Sequence, residues 1–95
     1  MNQTKLYTVV LDYKGGTYIG QSPGTSPKSA VSHWLSGLSD AELSTWKISR
    51  DDLHEIVESD DAVPLTGCQN VWCLTGSTDE NLILINVIAT AIELA

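Results

Sequence analysis

A chain of 95 residues has room for one domain around one core. Apolar residues make up 42% of it, the share of a folded globule rather than of a disordered tail. Twelve acids against five Lys and Arg leave a formal charge of -7, which repels phosphate backbones and argues against general nucleic-acid binding and against a cationic membrane helix.

Residues 6–13 read L-Y-T-V-V-L-D-Y, rich in β-branched and aromatic side chains and without a helical period. As a strand, this run puts Tyr7, Val9, Leu11 and Tyr13 on one face and Leu6, Thr8, Val10 and Asp12 on the other. Gly15-Gly16 follows and supplies the positive φ of a tight hairpin turn. Residues 17–21 return as a second strand.

The middle of the chain is helical and its starts are marked. Ser26-Pro27 gives an N-cap with Pro at the first helical position. Ala30, Val31, Trp34, Leu35 and Leu38 then recur at helical spacing, which predicts a helix that seats Trp34 in the core. His33 falls on the solvent side. Ser39 and Glu42 form an S-x-x-E capping box with Leu38 and Leu43 as its hydrophobic staple, opening a short helix that ends near Trp46. Ser49 and Asp52 repeat the device with Ile48 and Leu53. Leu53, Ile56 and Val57 are the apolar face of this third helix.

Residues 60–68 read as a connection broken by Pro64 and Gly67. Residues 71–74 form a short strand, and residues 75–81 a polar loop containing Gly76, Asp79 and Glu80. Residues 82–90, L-I-L-I-N-V-I-A-T, form the last strand. Their nearly continuous apolar run predicts burial on both faces and a central place in the sheet. The expected fold class is α+β, in the order β-β-α-α-α-β-β. One four-stranded, mostly antiparallel sheet is built from two hairpins, with helices packed on it.

The opening third resembles the start of HicB-type antitoxins, through Tyr7, Gly16, Tyr18 and Ala30 in a strand, turn, strand and helix. The third strand that this family places before its helix has no counterpart in residues 21–26. No functional residue is carried over.

The chemistry is sparse. Cys68 and Cys73 lie five positions apart, but a zinc site needs two more ligands, and neither His33 nor His54 has a partner at ligand spacing. No metal and no cofactor is expected. Cys73 is read as a small buried hydrophobe and Cys68 as a half-exposed loop thiol. His54 with Glu58 one turn on is an ordinary surface pair. No serine sits in a nucleophile motif, so the chain is not read as an enzyme.

Two surfaces remain. Asp51, Asp52, Glu55, Glu58, Asp60 and Asp61 place half of the acids within eleven residues. The helix dipole accounts for the first three but not for the last three, so the stretch is a candidate contact for a basic protein partner. The alternative is an anion or small-molecule site at the first helix start, formed by Thr25, Ser26 and Lys28. The chain therefore reads as a non-enzymatic protein-interaction domain, for instance a bacterial immunity or antitoxin-type inhibitor of a basic partner. Apolar residues on both faces of the outer runs suggest a homodimer through a sheet face or edge. No basic segment followed by an apolar stretch opens the chain, and residues 82–92 are too short to span a bilayer. A cytoplasmic location without membrane contact is expected.

Overall fold

The structure, a computed structural model, describes residues 4–59, 61–78 and 81–91. The order is β1 (Lys5–Tyr13), β2 (Gly16–Gly24), α1 (Pro27–Gly37), α2 (Asp40–Trp46), α3 (Arg50–Ser59), β3 (Val63–Pro64), β4 (Val71–Thr78) and β5 (Asn81–Ala91). It is an α+β fold with one antiparallel sheet, ordered β2-β1-β5-β4-β3. Two hairpins, β1–β2 and β4–β5, join through their inner strands, as expected.

The sheet has five strands rather than four. Val63 and Pro64 pair with Cys73 and Trp72 on the outer edge of β4. A proline is tolerated there because an edge strand does not need all of its N–H groups. Two residues are also too few to show an alternating pattern. β4 is longer than its sequence suggests, because Thr75 to Thr78 continue pairing with β5 instead of looping out. Asp79 and Glu80, read as part of that loop, lie outside the described residues.

The first turn is shifted by one residue. Lys14 and Gly15 carry φ of 49° and 78°, the two positive values of a type I′ turn, while Gly16 already pairs with Tyr13. The right-handed strand twist favours this two-residue loop, and Gly15 takes its second position without a Cβ penalty.

The helices start where their caps are. Ser26 Oγ accepts from Ser29 N and Ser39 Oγ from Glu42 N, each bond reciprocated by the N3 side chain. The four staple residues, Leu38, Leu43, Ile48 and Leu53, are all buried in the one apolar cluster.

All three helices contribute to one apolar cluster on one side of the sheet. Tyr7, Val9, Leu11 and Tyr13 of β1, Leu74 of β4 and Ile83, Ile85 and Val87 of β5 are buried there with Ala30, Val31, Leu35, Leu53, Ile56 and Val57. The strand residues between them are half-buried or exposed. β5 is the central strand, but it is covered on one face only. Its apolar run implied burial on both, and the other face is uncovered among the described residues.

Candidate functional site

The uncovered face is built by strand alternation. Register sets Ile19, Val10, Asn86, Cys73 and Val63 in one cross-strand row. Asp12, Leu84 and Thr75 lie in the row on one side, and Thr8, Ile88 and Val71 in the row on the other. Leu65 N donates to Val71 O at 3.0 Å and so extends that last row. Among the described residues the exposed large hydrophobic residues are Ile19 (67%), Leu82 (63%), Val63 (60%) and Leu65 (38%), and all four belong to this face. Its one charged side chain among the described residues is Asp12, which accepts from Thr17 Oγ1 at 2.6 Å. Thr8 and Thr90 hydroxyls join across the bulge opposite Leu6 and Tyr7.

The acidic stretch lies in the helical layer. Asp51, Glu55 and Glu58 are exposed and Asp52 is half-buried. Asp61 is exposed in the connection between α3 and β3, and Asp60 lies outside the described residues. Asp52, Glu55 and Ser59 line a cleft of about 160 Å³ between α3 and the Thr75–Ser77 stretch of β4, where Gly76 packs against Ile56. Lys28 reaches this region from α1. Its Nζ donates to Glu58 O at 3.4 Å and stands 4.0 Å from Asp61.

The structure thus puts one residue of the anion-site trio beside the acidic stretch. The other two are tied into the cap. Thr25 N and Ser26 N both donate to Ser29 Oγ, at 3.1 and 3.0 Å, and Ser26 Oγ accepts from Ser29 N. Three backbone donors of the helix start, Thr25 N, Ser26 N and Ser29 N, are thus engaged within the cap itself.

His33 is not merely solvated. Its Nδ1 lies 2.7 Å from Ser22 Oγ, and Ser22 is the one buried polar residue of the described chain. They line a shallow cleft of about 300 Å³ with Trp34, Leu38 and Glu42. Ser22 is 2% exposed and the imidazole satisfies its hydroxyl, so the contact stabilises the β2–α1 junction. His54 makes no ion pair with Glu58. Both cysteines are free: Cys68 is exposed, while Cys73 is half-buried on the open sheet face, where burial pushes its thiol pKa up. Among the described residues no three His, Cys, Asp or Glu side chains converge as metal ligands, and no helix is long and apolar enough to cross a membrane.

Arg50 was not legible as a functional or structural residue in the sequence. Its guanidinium donates to Leu35 O at 2.9 Å and Leu38 O at 2.6 Å, and pairs with Asp40 at 3.2 Å.

No protein-family model, curated protein or solved structure matches this chain.

Proposed function

We propose that this chain is a non-enzymatic protein-interaction domain whose docking surface is the open sheet face. The observation that carries the reading is the gathering on that one face of all four exposed large hydrophobic residues among those described, with a single described carboxylate beside them. Half-buried Val10, Leu84, Ile88 and Val71 lie between them, and an apolar-rich open face on a small domain is a recurrent mark of an interaction site. The free thiols, one of them exposed, suit a reducing compartment and support a cytoplasmic location.

A second reading has its own observation. Asp51, Glu55, Glu58 and Asp61 are exposed on the helical side, and among the described residues Lys28 is the one cation paired with them, through Asp61. An inhibitor of a basic partner, of the immunity or antitoxin type, would present such a surface.

Photocrosslinking inside the cell separates the two. A photoreactive residue replaces Ile19 in one variant and Glu55 in another. The docking-face reading expects protein adducts from position 19. Adducts from position 55 alone would transfer the function to the acidic side. Adducts from neither would overturn the interaction-domain reading altogether.

A further inference from the structure

We propose that the occupant of the open face is a second copy of this chain, the two sheets packing face to face about a two-fold axis that passes through Asn86. The inference rests on the interaction-domain reading and names its partner.

Asn86 carries the argument. It is the sixth of the eleven residues of β5, and β5 is the third of five strands. It therefore stands at the geometric centre of the open face, between Val10 and Cys73. Its amide makes no hydrogen bond to any described residue, whereas Thr8, Thr17 and Gln21 on the same face all have partners. Once this face is covered, an unpaired amide at its centre is costly. A carboxamide carries both donors and an acceptor, so it complements another copy of itself. A two-fold axis through residue 86 brings the two amides together and pairs them. A single polar pair in an apolar interface also fixes register.

Area and charge agree with a second copy. Strands about 4.8 Å apart and about seven residues long at 3.3 Å each give a face of roughly 24 by 23 Å, or about 550 Å² per copy. Two such faces bury about 1,100 Å², above the roughly 1,000 Å² that a specific interface requires. The chain carries a charge of -7, and copies repel unless their acids are kept apart. Here the clustered acids sit behind the sheet, in a helical layer about 10 Å thick. Across two such layers they are separated by well over a Debye length, about 8 Å at physiological salt. The face itself offers no charge cluster for a basic or acidic partner to match.

Sedimentation equilibrium tests the dimer. Wild type should pass from 10.3 kDa to twice that mass as concentration rises. Asn86→Asp and Asn86→Lys should each raise the dissociation constant at least a hundredfold, with circular dichroism and melting temperature little changed. Their equimolar mixture should regain the dimer, because opposite charges then meet across the axis. Ile19→Lys, at an exposed position that tolerates substitution, should weaken the dimer tenfold or more and guards against a folding defect at residue 86.

A wild type that stays at 10.3 kDa at several hundred micromolar overturns the dimer. Crosslinks from position 19 to other proteins would then leave the docking-face reading standing, and crosslinks to nothing would end both. If wild type dimerises but the charge-swapped mixture stays monomeric, the axis does not pass through Asn86.

Discussion

Trp34 lies half-buried rather than in the core, and Gly20 is the reason. A Cβ built on Gly20 would fall 2.2 Å from Trp34 Nε1 and 2.9 Å from Cε2, so the indole lies directly on the backbone of β2. It then reaches Trp46, with ring centroids 6.1 Å apart, and Trp46 stacks on Tyr18 at 4.3 Å and 17°. The helical stripe told which side Trp34 faces. It could not tell that a bare strand backbone beneath would let the ring lie flat at the rim. Gly20→Ala should push the indole outward and cost about 1–3 kcal/mol, as overpacking does. Urea unfolding with tryptophan fluorescence checks this. A wild-type midpoint and emission maximum would show that the ring has room to yield.

At the scale of elements, local signals were legible and distant ones were not. Ser26, Ser39 and Ser49 mark helix starts because capping chemistry is completed within three or four residues. The staple pairs are equally local, and all four side chains are buried. Residues 63 and 64 gave no such signal, because pairing with β4 is decided by the edge that β4 leaves open. Arg50 is the clearest case. Its contacts span 15 residues to Leu35 and 12 to Leu38, so no spacing rule reveals them. Physically, it supplies a cation to the last carbonyls of α1, which has no basic residue in its final turn, and joins that end to α3. Arg50→Ala should cost about 1.5–3 kcal/mol, the range for hydrogen bonds to a charged group. Arg50→Lys should recover only part, since an ammonium lacks the planar fork that spans two carbonyls and a carboxylate. Chemical denaturation of the three proteins measures both effects. A full rescue by Lys would reduce the role of Arg50 to charge alone.

Over the whole molecule, the alternation along β1 and β5 was readable, but the side on which the helices gather was not. Leu6, Val10, Leu84 and Ile88 look as ready for a core as Tyr7, Val9, Ile83 and Ile85. The helices bury only the second set. What distinguishes the first set is its company, since Asp12, Asn86 and Thr90 share its face. The result is a molecule with two unlike sides, acids on the helical layer and apolar residues on the open sheet.

That separation makes a prediction about their independence. Replacing Glu58, Asp60 and Asp61 with Gln, Asn and Asn removes three of the twelve acids. Stability should move by only a few tenths of a kcal/mol. The Lys28–Asp61 pair is solvent-screened, and negative charge near a helix C-terminus is slightly unfavourable. Self-association at physiological salt should stay within about twofold of wild type, because the proposed face-to-face dimer sets the helical layer, with Glu58 and Asp61, beyond a Debye length from the mate's clustered acids. At low salt, where screening weakens, the neutralised protein should associate somewhat more tightly. Binding of a basic partner to the helical side should respond the other way, with a slower on-rate and a flatter salt dependence. Sedimentation at two ionic strengths, beside stopped-flow association with the crosslinked partner, reads both responses. A tenfold change in dimerisation would put the acids in the self-interface, while an unchanged on-rate would reduce them to a solvated face.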